Sequence, residues 1–96
     1  MVSRKKLEIC IEDLYKDFII KILDKHGVKD FVCLPIIDGT KHGDEDFISN
    51  LERISMAIIL EPDQVKALVQ EINLLLKQPQ PWMILSDIEQ IVFKAE

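Results

Sequence analysis

The residues best suited to chemistry in this 96-residue sequence lie together in the stretch DGTKHGDEDF, Asp38 to Phe47. His42 is followed there by Asp44 and Glu45, and the stretch holds two further aspartates. An imidazole beside carboxylates suits a transition metal such as zinc, nickel, cobalt or copper. The stretch therefore indicates a candidate metal site at His42, Asp44 and Glu45, completed by a histidine or carboxylate of an adjacent subunit.

A purely structural interpretation of the same stretch stays open. The sequence is also typical of a solvated turn, in which Asp44 caps a short helix that contains Phe47 and Leu51. His26 stands beside Gly27 at the predicted end of a helix, where its ring is expected to meet the terminal carbonyls rather than bind a metal.

Other reactive residue types lack the partners that chemistry needs. Glu8 and Glu12 project from the same side of a predicted strand with no nucleophile nearby, so we expect them to solubilise an edge. Cys10 and Cys33 lack the CxxC spacing of redox or metal sites and are expected to be buried, reduced thiols. The sequence contains no catalytic triad signature and no glycine-rich phosphate loop, so no enzymatic activity is predicted.

The elements that must position these residues follow from periodicity. Alternation from Lys5 to Ile11 predicts a first strand. From Asp13 to Gly27, spacings of four predict a helix with an apolar stripe of Leu14, Phe18 and Ile22 together with Tyr15 and Ile19. Further strands are predicted at 31–37 and 54–60, and Pro35 indicates a sheet edge or a bulge. Pro62 is predicted to take the first position of a second helix, whose apolar residues run from Val65 to Leu76 and which ends before QPQP.

The sequence QPQP must end that helix, because proline lacks the amide donor that continues it. Trp82 to Leu85 is predicted to be the fourth strand, and Ile88 to Phe93 either its continuation or a fifth. The order βαββαβ predicts one ferredoxin-like α+β domain over residues 1–96, with a four-stranded antiparallel sheet and both helices on one face. Cys10, Val32 and Leu34 would point to the uncovered face, so an oligomer is expected.

The composition limits the location and the partners. With 48% hydrophobic and 30% charged residues the chain resembles an ordinary globular domain, and its net charge of −5 opposes nucleic-acid binding. No signal peptide and no apolar run of about 18 residues is present, so membrane insertion is not expected and a cytoplasmic location is.

Three features of the sequence resemble the PII signal-transduction superfamily. They are the opening RKKLEICIE, the HGV after the first helix and the strand that runs into a polar loop. That resemblance implies trimers of ferredoxin-like subunits, whose loop after the second strand signals to partners. The chain is most similar to small PII-like proteins encoded beside heavy-metal efflux systems. In that group, a loop with Gly39, His42 and Gly43 precedes a short helix and a basic residue, here Arg53.

One departure from the superfamily concerns nucleotides. Nucleotide-binding PII proteins carry a glycine-rich, lysine-bearing stretch before the fourth strand, where this chain has QPQPW. Because proline offers no amide donor to a phosphate, ATP binding by the usual PII route is predicted to be absent. By the same resemblance, Trp82 would lie near the subunit cleft.

Two functions remain open from the sequence. The first is a regulatory protein whose loop 38–53, including Asp38 and Asp44, changes order when a small effector or metal occupies an intersubunit cleft, and which acts on a partner such as a membrane transporter. The alternative is an oligomeric interaction module that binds its partner constitutively and has no effector.

Overall fold

The computed structural model describes residues 1–36, 53–76 and 83–91. Its helices and strands follow the predicted order, with a single 3-10 turn before each helix. The strands are β1 (Val2–Glu12), β2 (Phe31–Pro35), β3 (Arg53–Leu60) and β4 (Met83–Gln90), and the helices are α1 (Lys16–Lys25) and α2 (Val65–Leu76). β1 begins three residues before the predicted start, and β4 continues through Ser86 and Asp87 as one strand.

The four strands form one antiparallel sheet in the order β2-β3-β1-β4. Each helix links two strands that are separated by a third, which is the ferredoxin-like arrangement predicted from the sequence. β2 lies at an edge of this sheet, as Pro35 indicated, because a residue without an amide hydrogen is tolerated where one side of a strand is unpaired.

The core lies between the helices and one face of the sheet. Alternate residues of the two central strands are buried, and so are the residues of each helix that face them. Buried residues recur at every second position in the strands and at about every fourth position in the helices, which confirms the patterns from which these elements were predicted. The buried residues are Leu7, Ile9, Ile11, Ile19, Leu23, Val28, Ile54, Met56, Ile58, Leu60, Leu68, Ile72 and Leu76.

The predicted apolar stripe of α1 was partly wrong. Ile19 and Leu23 are fully buried, whereas Leu14 is 62% exposed and Phe18 is 54% exposed. Two neighbouring stripes of a helix both satisfy a spacing of four, and only packing against the sheet decides which one is covered. Leu14 also precedes the helix, within the 3-10 turn Asp13–Tyr15.

The helix ends follow local sequence rules. The amide of Val28 donates to the carbonyl of Leu23 at 2.9 Å and that of Gly27 to Asp24 at 3.0 Å, the bonding pattern that closes a helix at a left-handed residue. Gly27 has a φ of 72°, a conformation glycine adopts without steric cost. Pro62 lies at the start of the second helical segment, as predicted.

No helix among residues 1–36, 53–76 and 83–91 is long and apolar enough to cross a membrane.

Candidate functional site

The sheet face opposite the helices is the main candidate for a functional surface, and we call it the open face. Alternation and strand register place on it the β2 residues Val32 and Leu34, which are 55% and 60% exposed. Ile84 of β4 is 44% exposed on the same face. Apolar side chains so close together are seldom left in water unless the surface binds something. The expectation that Cys10, Val32 and Leu34 share an uncovered face is thus met by the register.

A charged spine runs along the centre of the open face. The even-numbered residues of β1 alternate with its buried ones, so Arg4, Lys6, Glu8, Cys10 and Glu12 lie on this face. Lys6 Nζ lies 3.9 Å from Glu8 Oε1. The expectation that Glu8 and Glu12 solubilise an edge was wrong, because β1 is an interior strand of the sheet.

A shallow hollow of about 360 Å³ lies on the open face around Glu8 and Cys10. Its other side chains come from strands on both sides of β1 and from the residue after β2, so the hollow spans the width of the sheet. The carboxylate of Glu8, the thiol of Cys10 and the hydroxyl group of Ser55 lie together there among apolar side chains. The other lining residues are Ile9, Ile36, Ser55 and Ile84.

The two cysteines are free thiols, as predicted, but neither is buried. Cys10 is half-buried on the open face, and Cys33 is half-buried on the helix side of edge strand β2. Partial burial raises the pKa of the Cys33 thiol, and the nearby ammonium of Lys16 opposes that rise. The Cys33 side chain is therefore in the thiol form at neutral pH, which is less reactive than the thiolate.

His26 joins the two helices rather than capping α1 with its ring. Its Nε2 lies 2.8 Å from Glu71 Oε1 on α2, and Lys25 Nζ donates to Glu71 Oε2 at 3.1 Å. Gln64 Nε2 donates to the backbone carbonyl of His26 at 3.3 Å. The hydrogen bonds from His26 and then Lys25 lower the pKa of the Glu71 carboxyl group below its ordinary value. The predicted contact between the ring and the helix carbonyls was wrong, since the carboxylate takes its place.

A second hollow, of about 600 Å³, lies where β1 begins and β4 ends. Its two cations, Arg4 and Lys5, are already matched with opposite charges. Arg4 Nη2 is 3.7 Å from Glu61 Oε1, and Lys5 forms an ion pair with Asp87. Its cations are thus engaged with neighbouring carboxylates, which makes this hollow a weaker candidate for binding an anion.

Most of the predicted site residues lie outside the described residues. These include the metal candidates His42, Asp44 and Glu45, the loop residues Asp38, Gly39 and Gly43, and Trp82. Arg53 is described: it is the exposed first residue of β3 and stands opposite Glu12 of β1. Within the described ranges, no three His, Cys, Asp or Glu residues are grouped as metal ligands would be.

The chain matches no family model and no curated protein. Solved structures do resemble it over nearly its whole length. CPII from Thiomonas intermedia K12, a nitrogen regulatory PII-like protein whose structure was solved with ADP, AMP and acetate, is 24% identical with a TM-score of 0.72. That similarity covers 91% of this chain and 87% of CPII. This chain has the fold of PII-like proteins.

Two further structures support the assignment of the PII-like fold. A DUF3240 family protein from Shewanella baltica OS155 is 16% identical with a TM-score of 0.64, over 100% of this chain and 99% of that protein. B. subtilis GlnK, solved in complex with ATP, is 18% identical with a TM-score of 0.61, over 92% of this chain and 84% of GlnK. Similarity at these identities extends to the fold, and the fold alone does not determine a ligand.

The charged spine of the open face was the feature that sequence reasoning missed. The alternation of Glu8, Cys10 and Glu12 with apolar residues was plain in the sequence. The ferredoxin-like arrangement predicted from the sequence already places β1 between β3 and β4, so the expectation that these side chains lie at an edge did not agree with the predicted fold.

Proposed function

We propose that this chain is a PII-like regulatory protein: a non-catalytic, cytoplasmic, single-domain subunit that assembles with copies of itself and reports a small effector to a partner protein. The observation that carries the proposal is the PII-like fold, which extends over 91% of this chain and 87% of CPII.

Assembly of copies follows from the open face. Val32 and Leu34 lie two residues apart on edge strand β2, and Ile84 lies across the sheet on β4. All three apolar side chains are exposed, and an apolar surface of this kind is usually covered by a partner. The face also carries both signs of charge, with Arg4 at one end of the spine and Glu12 at the other. A copy of the chain offers the same apolar area and both charges, whereas a strongly acidic or basic partner would match only one end. We propose a trimer, in which the clefts between subunits receive the effector.

The loop 38–53 is the proposed signalling element. It follows β2, which lies at the sheet edge, and leads into β3 at Arg53. We propose that effector binding changes its conformation and so its affinity for a partner, such as a membrane transporter. His42, with Asp44 and Glu45, would supply a metal ligand set shared between subunits, and Trp82 would lie beside the cleft.

The effector is proposed to be a transition metal or another small molecule rather than ATP held by the usual PII phosphate loop. CPII and GlnK were solved with nucleotides, so ADP, AMP and ATP are necessary ligands to test. Against them stands the sequence QPQPW between α2 and β4, where Pro79 and Pro81 provide no amide donors for a phosphate.

A constitutive interaction module is the second candidate function. The exposed apolar residues of the open face are compatible with it, because they require a covering partner but no effector. The two candidates differ in one property, namely saturable binding of a small ligand that depends on His42.

Isothermal titration distinguishes them. The protein is titrated with Zn²⁺, Ni²⁺, Co²⁺ and Cu⁺ and with ADP, AMP and ATP, and the His42→Ala variant is measured beside it. His26→Gln is the matched control, since His26 is engaged with Glu71. Saturable metal binding that is lost in His42→Ala and kept in His26→Gln supports the regulatory function. Absence of any saturable ligand would favour the constitutive module.

A further inference from the structure

We propose that the carboxylate of Glu8 opposes association of the open face, so that neutralising it, by protonation or by substitution, tightens the assembly. The inference rests on the proposed function in one respect, namely that copies of this chain cover the open face. It assigns to Glu8 the regulation of that contact.

Glu8 lies at the centre of an apolar row that crosses all four strands. The register pairs Val32 with Ala57, Ala57 with Glu8, and Glu8 with Ile84. Glu8 is thus the one polar residue in its row. Leu34 begins the next row. A surface that covers Val32 and Leu34 on β2 together with Ile84 on β4 must also cover this carboxylate, which lies between them.

The charges that face Glu8 do little to compensate it. Lys6 Nζ, on the same strand, is 3.9 Å away, and its side chain is about one-third exposed, so the pair is weakly coupled. Among the described residues of the open face, the other charged ones are Arg4 and Glu12 on β1 and Arg53 on β3, four or more residues along the strands, and Arg4 is itself paired with Glu61. The register places no charged residue of β2 or β4 on the described part of this face.

Covering the open face therefore removes water from a carboxylate without giving it a strong partner. Desolvation of a charge in such a place costs more than a long ion pair returns. The neutral form of a carboxyl group does not carry that cost, so burial favours uptake of a proton. A group that takes up a proton on association makes association stronger as the pH falls, and the same holds if the charge is removed by substitution.

The test measures the dissociation constant of the assembly by fluorescence-detected sedimentation across nanomolar to micromolar concentrations. Glu8→Gln removes the charge and keeps the shape. Glu89→Gln is the matched control, because it makes the same change in net charge at an exposed position of β4 on the other face of the sheet. Circular dichroism shows that both variants are folded. All measurements stay above the sequence pI of about 5.0, where the loss of net charge would itself promote association.

At about pH 7, Glu8→Gln is expected to lower the dissociation constant at least roughly tenfold, and Glu89→Gln less than about threefold. Lowering the pH to about 5.5 is expected to tighten the wild-type assembly more than the Glu8→Gln assembly, because only the wild type has a carboxylate at this position. An assembled wild type whose two variants behave alike, or a Glu8→Gln variant that associates more weakly, overturns this inference alone. Wild type and Glu8→Gln that both remain monomeric overturn the proposed assembly itself.

Discussion

Gly27 closes α1 with a φ of 72°, and a Cβ added there would meet no atom within 4 Å. Any loss of stability on substitution must then come from backbone strain alone. Gly27→Ala is expected to lower the free energy of unfolding by about 1 kcal/mol, the cost of placing a side chain in the left-handed region. Gly27→Asn should cost less, because asparagine tolerates that region. Urea denaturation of the wild type, Gly27→Ala and Gly27→Asn measures both losses of stability. Equal stability of the wild type and Gly27→Ala would contradict the strain argument.

Glu71 carries a pH dependence of stability that can be isolated. Hydrogen bonds from His26 and Lys25 lower its pKa from the ordinary value of 4.5, so the ionised form is favoured by folding. The stabilisation is present above pH 4.5 and is lost as the pH falls through the lower, folded-state pKa. Glu71→Gln is expected to unfold at lower urea than wild type near neutral pH and to match it in strong acid. Glu89→Gln, an exposed change of the same kind, serves as the control; a Glu71→Gln deficit that persists in strong acid would contradict the assignment.

At the scale of elements, the two faces of α2 should respond very differently to the same substitution. Leu68 is fully buried against the sheet, whereas Leu74 is 75% exposed. Leu68→Ala is expected to cost about 2–5 kcal/mol, because it removes buried contacts and leaves a cavity. Leu74→Ala should stay within about 0.5 kcal/mol of wild type. Chemical denaturation compares them, and similar losses for the two variants would show that the orientation of α2 is wrong.

The sequence predicted these elements well where one pattern excluded the others. Strict alternation from Leu7 to Ile11 left no helical alternative, and Pro35 located the sheet edge. The sequence did not decide which stripe of α1 is buried, because two neighbouring stripes have the same spacing. Leu14 and Phe18 fit a helical stripe as well as Ile19 and Leu23 do, and the contact with the sheet that buries the second pair is not encoded in spacing.

At the scale of the whole molecule, the order of elements was enough to predict the ferredoxin-like sheet and its uncovered face. The same arrangement places β1 in the interior of the sheet, so the central position of Glu8 was predictable as well. Which residues of β3 and β4 lie beside Glu8 depends on the strand register, which the order of elements does not fix. The loop site at His42 is a prediction from residue types, and it lies outside the described residues.

The central claim is that copies of this chain cover the open face, and light scattering coupled to size-exclusion chromatography tests it most directly. The wild type is expected to have a mass that is a multiple of the 11.1 kDa subunit, most simply three subunits. Leu34→Lys places a charge on the open face and should give the subunit mass. Leu74→Lys, on the exposed side of α2, should leave the mass unchanged. A wild type of 11.1 kDa at every concentration, or a Leu34→Lys variant that stays assembled, would contradict the account.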